Sequence, residues 1–282
     1  MDVLRLLAGT LALRPYVFVF LFVYLLLAVP VWGWRRTALY TVLGYAIAWA
    51  AEFASIHTGF PFGLYTYLSA PTLDRELWVA GVPFMDSLSF VFLTFAGLQT
   101  ARLVLEPLRS TSPGWDVRWA VANRPVRRRT WLLAGLLTMA MDVVIDPVAL
   151  RGDRWFLGRI YYYNNEGLYS GVPLTNFAGW ALLSWTITGV FLLVDRRILQ
   201  HRWGGWRSYP ADALWGAGLT AGVLAFNLAV TFAIGEVVLG LVGCVWAGVV
   251  LVPVLVRVRR QRGQAPPERD RAPARDGQAV AD

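Results

Sequence analysis

The sequence predicts an all-α integral membrane protein, a polytopic helical bundle of about seven transmembrane helices with its N-terminus outside and its C-terminus in the cytoplasm. Three observations lead to this fold class: an apolar composition, a series of apolar stretches long enough to cross a bilayer, and an uneven distribution of arginine. Of the 282 residues, 57% are hydrophobic and 16% are charged. Soluble domains are less apolar than this, so the composition indicates a membrane protein.

Seven stretches of the chain approach the length of about 20 apolar residues that a helix needs to span a bilayer. They are residues 16–34, 37–56, 84–104, 130–146, 174–194, 211–234 and 236–256. We expect residues 1–257 to form one transmembrane domain, in which the residues of a candidate site concentrate in 40–195. Residues 258–282 are rich in Pro, Ala and charge and are expected to form a disordered cytoplasmic tail.

The placement of arginine predicts the orientation. All 26 basic residues are arginines; twenty of them lie beside or between alternate spans and in the tail, and six lie on the opposite side. Because positively charged loops stay in the cytoplasm, the side with twenty arginines is predicted to be cytoplasmic, and the protein to lie in the cell (plasma) membrane. The net charge of +8 then reflects contacts with membrane lipids, and no nucleic-acid partner is expected.

Carboxylates at the outer ends of the spans are the first candidates for function, because an Asp at the centre of a membrane helix costs about 2.5–3.5 kcal/mol on insertion scales. Asp142 and Asp146 are four residues apart and therefore lie on one helix face, just before Pro147. Two carboxylates this close in a low-dielectric site do not both ionise easily, so one is expected to stay protonated and to serve as a general acid. Glu52, near the outer end of the second span, is predicted to be a third member of this site.

Other polar and aromatic residues are predicted at the same outer face. Asp86 follows Pro83 and is expected to cap the start of a helix. Asn176 follows Pro173 and either caps a helix or positions a water molecule. His57 either makes hydrogen bonds within its loop or shuttles protons. The aromatic residues are interpreted as an interfacial belt, or as the wall of a lipid pathway that stabilises a cation; they are Tyr65, Tyr67, Trp78, Trp155 and Tyr161–Tyr163.

The sequence gives no indication of a metal or a cofactor. Its two histidines, His57 and His201, are predicted on opposite sides of the membrane, so no histidine-rich metal site is expected. No glycine-rich nucleotide loop occurs, and the single cysteine, Cys244, has no partner for an internal disulfide. The remaining chemistry is that of unaided carboxylates at a membrane interface, where an alkene can be protonated and the resulting carbocation captured by water.

A short internal repeat accompanies these residues. The segment GVPFMDSLSF at 81–90 resembles GVPLTNFAGW at 171–180, and a Gly-Leu-Tyr triplet precedes each copy. Both copies introduce a helix that enters from the outer side. The pattern suggests two parallel repeats packed about an axis normal to the membrane.

Four blocks of the sequence resemble the signature blocks of the carotenoid hydratase family, which includes the bacterial carotenoid 1',2'-hydratases and the archaeal bisanhydrobacterioruberin hydratase. The resemblance extends over about residues 40–195. The blocks are Glu52 with TGFPFGLYTY at 58–67, GVP at 81–83, DVVIDPVALRGDRW at 142–155, and GVPLTNFAGW at 171–180. After Trp155 the chain departs from the family pattern and reads FLGRIYYYNNEGLYSG.

The resemblance implies a hydratase of the hydro-lyase type in carotenoid biosynthesis. Such an enzyme adds water, without a cofactor, to the terminal C1',2' double bond of an acyclic carotenoid end group and gives a tertiary alcohol. The implied proton donor is the Asp142/Asp146 pair, with Asp146 preferred. Glu52 would orient or deprotonate the water, and Asn176 would help to hold it. The implied contacts to substrate or water are His57, Tyr65, Tyr67, Trp155 and Trp180.

Three other readings remain open at this stage. A cyclase or isomerase of isoprenoid end groups would use the same acid chemistry. A seven-span proton-coupled transporter would use the carboxylates as a protonation site, although the cytoplasmic halves of the second to fifth spans are almost purely apolar. A non-catalytic carotenoid-binding scaffold would not need the carboxylates. The expected partners are a lipophilic carotenoid, water, membrane lipids and other enzymes of carotenoid biosynthesis.

Overall fold

The computed structural model describes residues 3–110, 116–120, 125–199 and 209–262. It confirms the predicted all-α polytopic bundle: within these residues, seven helices are long and apolar enough to cross a membrane. A short helix α1 (Val3–Leu13) is followed by α2 (Pro15–Trp32), α3 (Trp34–Thr58), α4 (Phe84–Leu105), α5 (Arg128–Ala149), α6 (Leu174–Val194), α7 (Trp215–Ala233) and α8 (Val237–Arg262). Residues 258–262 of the predicted tail thus belong to α8, while His201 and residues 263–282 lie outside the described residues.

Three short antiparallel strand pairs occur in the described part of the chain, all in connections between helices. Strand β1 (Tyr65–Tyr67) pairs with β6 (Tyr161–Tyr163), β2 (Trp78–Val79) with β3 (Val82–Pro83), and β4 (Leu108–Ser110) with β5 (Val117–Trp119). The first pair joins the loop after α3 to the loop after α5 and places Thr66 opposite Tyr162. The two loops therefore form one layer over the end of the bundle that is predicted to face outwards, here called the outer end.

Helix α4 is the central helix of the bundle. It packs against α2, α3, α5, α6, α7 and α8, and nearly all of its side chains are buried. Its polar residues find partners on neighbouring helices: Thr94 Oγ1 lies 2.8 Å from the hydroxyl of Tyr40, and Thr100 Oγ1 lies 2.8 Å from Thr220 Oγ1. A helix that is apolar on all sides is expected to be buried. In membrane bundles, small polar residues also form hydrogen bonds between helices. Helix α4 shows both properties.

The short helix α1, which the sequence did not predict, fastens the outer layer to the bundle. Thr10 Oγ1 accepts a hydrogen bond of 2.8 Å from the backbone N–H of Leu77. Arg14, at the junction of α1 and α2, forms a buried salt bridge of 2.9 Å with Glu76 and also donates to the carbonyl of Leu157. Both outer loops are thus held by one buried guanidinium.

The internal repeat extends to the arrangement of four helices. The second Gly-Val-Pro motif follows the first by 90 positions, from Gly81 to Gly171, and Pro83 and Pro173 are the N-caps of α4 and α6. Helix α4 packs on α5 as α6 packs on α3. These reciprocal contacts are those expected of two repeated helix pairs, α3–α4 and α5–α6, packed about an axis along the helices.

The same spacing of 90 relates residues of the candidate site. It connects Glu52 with Asp142, and Asp86 with Asn176. It also connects Phe90 with Trp180, whose rings stack on each other. Equivalent residues of two related halves meet where the axis between the halves passes, so the stacked rings mark that position for the two helix pairs. The candidate site surrounds that axis.

Candidate carboxylate site at the outer end of the bundle

Four helix ends bring the predicted site residues together. Glu52 lies in the last two turns of α3, and Asp142 and Asp146 lie in the last two turns of α5. Asn176 lies in the first turn of α6. All four side chains are buried although they are charged or polar. The structure adds Asp86, in the first turn of α4, which is also near the centre of this cluster.

The first half of the site consists of Glu52, Asp86 and their hydroxyl neighbours. Tyr67 Oη lies 2.8 Å from Glu52 Oε1 and 2.5 Å from Asp86 Oδ2. Ser87 donates a short hydrogen bond to Glu52 Oε2, and the Tyr67 hydroxyl bridges the two carboxyl groups. Helix α4 has Pro83 at its N-cap and no side-chain cap. Asp86 therefore does not cap α4 as predicted but faces Tyr67 and Glu52.

The second half consists of Asp146, Asp142 and three donor residues. Tyr161 and Tyr163 donate to the two carboxylate oxygens of Asp146, the second at 2.8 Å. The amide nitrogen of Asn176 donates to Asp142 at 2.7 Å and to Asp146 at 3.1 Å. Asp146 therefore accepts hydrogen bonds from three side chains.

The tyrosines remain hydrogen-bond donors at neutral pH. Burial raises the pKa of Tyr67, Tyr161 and Tyr163 well above the usual value, and neighbouring carboxylates raise it further. The ring of Tyr65 lies among them, with centroid distances of 5.2 Å to Tyr67, 5.8 Å to Tyr161 and 5.9 Å to Tyr163. These tyrosines are part of the buried site and not an interfacial belt.

Two cavities meet at the carboxylates. A polar cavity of about 50 Å³ is lined by Glu52, Tyr65, Tyr67, Tyr163 and Asn176 among others. A mainly apolar cavity of about 100 Å³ extends towards α2 and α7, and its lining includes Tyr16, Phe20, Asp142, Trp155 and Val223. Asp86, Asp146, Tyr161 and Trp180 line both cavities. The polar cavity has room for water, and the apolar one accepts a hydrocarbon group.

His57 is the one predicted site residue that the structure places outside the cluster. It is exposed, its Nδ1 makes a hydrogen bond of 2.7 Å with the carbonyl of Phe53, and its ring packs on that of Phe53. His57 thus lies in the last turn of α3 and bonds within its own helix, whereas the sequence predicted hydrogen bonding within a loop or proton shuttling. Trp155, by contrast, lines the apolar cavity and donates to the carbonyl of Val148.

The fold and the site together define a polytopic membrane protein with buried carboxylates and tyrosines between a polar and an apolar cavity. Comparison with protein families gives the particular group: the model of the family described as carotenoid biosynthesis protein matches residues 3–251, and the chain belongs to that family. A search of curated proteins and a search of solved structures found no match. Family membership confirms the resemblance and assigns the protein to carotenoid biosynthesis.

Proposed function

We propose that the protein is a cofactor-independent hydratase that adds water to the terminal C1',2' double bond of an acyclic carotenoid end group, within the plasma membrane. One observation carries this proposal: Asp86 and Asp146 form a shared wall between a polar and an apolar cavity. A hydrocarbon end group in the apolar cavity and a water molecule in the polar cavity would meet at these carboxylates.

The chemistry requires one proton donor and one proton acceptor. A carboxylic acid gives its proton to C2', which leaves a tertiary cation at C1', and water attacks C1' as a carboxylate takes one of its protons. Glu52, Asp142 and Asp146 are the candidate groups from the sequence, with Asn176 holding the water. The rings of Trp155 and Trp180 line the apolar cavity, where their faces stabilise a cation.

A cyclase or isomerase of isoprenoid end groups is the nearest alternative, because it shares the first protonation step. It would then release a proton from the cation instead of capturing water. The polar cavity beside the carboxylates favours hydration, since a cyclase has to keep water away from the cation.

A proton-coupled transporter would need a polar path to the cytoplasmic side. Arg36 and Asp195 form a buried salt bridge, and one helical turn from it lies a layer of closely packed buried rings. Tyr40 and Phe191 of this layer pack edge to face at a centroid distance of 5.0 Å. The rings of this layer are Trp32, Tyr40, Phe95 and Phe191. Their close packing supports a site that opens to one side only.

The experiment is expression in a host that accumulates lycopene or a monocyclic carotene, followed by mass spectrometry of the pigments. We expect a product heavier by one water with the wild-type chain and none with Asp146→Asn. Asp153→Asn, which changes an exposed aspartate in the outer layer, is the matched control and should keep the product. An unchanged mass with altered retention would indicate cyclisation or isomerisation, and unaltered pigments would contradict an enzymatic role on these substrates.

A further inference from the structure

We propose that Asp86 donates the proton in this reaction and that Asp146 is the carboxylate that accepts a proton from water. The assignment rests on the proposed hydration. It adds a catalytic residue that the sequence suggested only as a helix cap, and it reverses the roles suggested for the two halves of the site.

The number of hydrogens in the first half requires a protonated carboxyl group. The hydroxyl of Tyr67 has one hydrogen, yet it lies within hydrogen-bonding distance of both Glu52 and Asp86. Ionised carboxylates only accept hydrogen bonds, so two ionised groups would leave oxygen atoms in contact without a hydrogen between them. A proton on one of the two carboxyl groups, donated to Tyr67 Oη while Tyr67 donates to the other group, resolves this conflict.

In the second half, hydrogen-bond donors supply enough hydrogens for an ionised carboxylate. Tyr161, Tyr163 and Asn176 together direct three hydrogens at the two oxygens of Asp146. A carboxylate that accepts two or three hydrogen bonds is stabilised in its charged form. The raised pKa of both tyrosines keeps their hydroxyl hydrogens in place. Asp146 is therefore the anion of the site and suited to accept a proton.

Position selects Asp86 over Glu52 as the group that meets the substrate. Asp86 lines the apolar cavity, whereas Glu52 lines only the polar one. Glu52 lies behind Asp86 and is connected to it through the Tyr67 hydroxyl.

The internal repeat accounts for the difference between the halves. Asp86 and Asn176 are equivalent positions, each in the first turn of a helix that follows Gly-Val-Pro. The amide supplies a hydrogen to Asp146 in its own half, which adds to those of the two tyrosines and keeps Asp146 charged. The acid in the other half supplies no such fixed hydrogens and keeps a transferable proton.

The reaction then balances within the site. The O–H bond of Asp86 breaks as a C–H bond forms at C2', and the alkene π electrons leave a cation at C1'. The water oxygen bonds to C1' and its proton passes to Asp146. Asp86 is now ionised and Asp146 protonated, and water in the polar cavity, which both line, returns the proton to Asp86. No proton is gained from or lost to the medium over the cycle.

Infrared spectroscopy of the purified protein in lipid nanodiscs tests the protonation states directly, without substrate. A protonated carboxyl group has a C=O stretching band that shifts in D₂O and that carboxylates lack. We expect this band to be lost or shifted in Asp86→Asn and in Glu52→Gln, and to be unchanged in Asp146→Asn. A band lost in Asp146→Asn and unchanged in Asp86→Asn would overturn the assignment.

Pigment analysis is the second test of the assignment. Asp86→Asn should lose the hydrated product and Asp86→Glu, which restores an acid, should recover part of it; full activity of Asp86→Asn would also overturn the assignment. A normal gel-filtration profile and melting temperature of each variant show that it is folded. If the wild-type chain hydrates no carotenoid while the infrared pattern is as expected, the proposed function fails and the protonation assignment stands.

Discussion

Phe90 and Trp180 stack on each other at the centre of the site, with ring centroids 4.1 Å apart and planes inclined by 21°. They occupy equivalent positions in the two related helix pairs, and each comes from the second turn of its helix. Phe90 lines the polar cavity, whereas Trp180 lines both cavities. The stack therefore fixes the Trp180 ring between the expected positions of water and hydrocarbon.

Replacing Trp180 should slow hydration more than it weakens the fold. A desolvated cation–π contact is worth about 2 kcal/mol, which corresponds to about a 30-fold change in rate. We expect a loss of this order for Trp180→Leu and a smaller one for Trp180→Phe, measured as initial rates of product formation in isolated membranes. Trp185→Phe, on the same helix outside both cavities, is the control. Equal rates for Trp180→Leu and wild type would show that the ring does not contact the cation.

Each of the two tyrosines that donate hydrogen bonds to Asp146 should be needed for full hydration activity. Each donates to a charged acceptor, and such hydrogen bonds contribute about 1.5–3 kcal/mol. Tyr161→Phe and Tyr163→Phe should each lower the rate by about 10- to 100-fold if that energy is expressed in the reaction. Tyr162 lies between them, is 38% exposed and packs with Arg159. Tyr162→Phe should be neutral, and a similar loss in all three variants would point to a disturbed strand instead.

The contact between α6 and the loop after α3 has no room for a methyl group at Gly179. A Cβ there would lie 2.6 Å from Phe62 Cδ1 and 2.8 Å from the carbonyl oxygen of Pro61. Gly179→Ala should therefore lower the melting temperature in detergent. At Gly218 a Cβ would meet nothing within 4 Å, so Gly218→Ala should be neutral or stabilising by up to about 1 kcal/mol through helix propensity. A melting temperature of Gly179→Ala equal to that of the wild type would mean that the loop moves away at little cost in free energy.

Removing one partner of the buried pair Arg14–Glu76 should destabilise the outer layer. Breaking a buried salt bridge on one side costs about 3–5 kcal/mol, because the remaining charge is left unpaired. Glu76→Gln should thus lower the melting temperature strongly. The exposed pair Arg75–Asp74, at 3.8 Å, is the control, and Asp74→Asn should change stability by less than about 1 kcal/mol. A double variant with apolar residues at positions 14 and 76 should lose less thermal stability than Glu76→Gln alone.

The predicted orientation can be measured with one introduced cysteine. Leu168, in the outer layer, is 90% exposed. In a Cys244→Ala background, Leu168→Cys should react with a membrane-impermeant thiol reagent on intact cells. A cysteine at Arg197, three residues beyond the other end of α6, should react only after the cells are opened. The reverse pattern would place the site on the cytoplasmic side.

The sequence predicted the seven spans to within about six residues at each end, because their length and apolarity are local properties. It also placed Glu52, Asp142, Asp146 and Asn176 at one end, since helix direction alternates along the chain. The roles of Tyr161 and Tyr163 could not be read in the same way. In a strand alternate residues face opposite sides, but three consecutive tyrosines show no alternation, and only the pairing with β1 decides which of them face Asp146.

Asp86 was misinterpreted for a related reason. A carboxylate three residues after a proline matches the local pattern of a helix start, and local pattern was all that the sequence offered. Its partner Tyr67 comes from the loop after α3, and Glu52, which bonds to the same hydroxyl, comes from α3 itself. The short helix α1 was missed because its 11 residues are too few to span a bilayer.

The pairing of β1 with β6 also bears on how the two reactants reach the carboxylates. The strands tie the outer loops of both helix pairs together, and Arg14 holds the same layer to α2. A long polyene that came from the aqueous side would have to separate these strands. We therefore expect the carotenoid to arrive sideways from the bilayer, towards α2 and α7 where the apolar cavity extends, while water crosses the layer of loops. Substrate and water would then travel by perpendicular routes and meet only at Asp86 and Asp146.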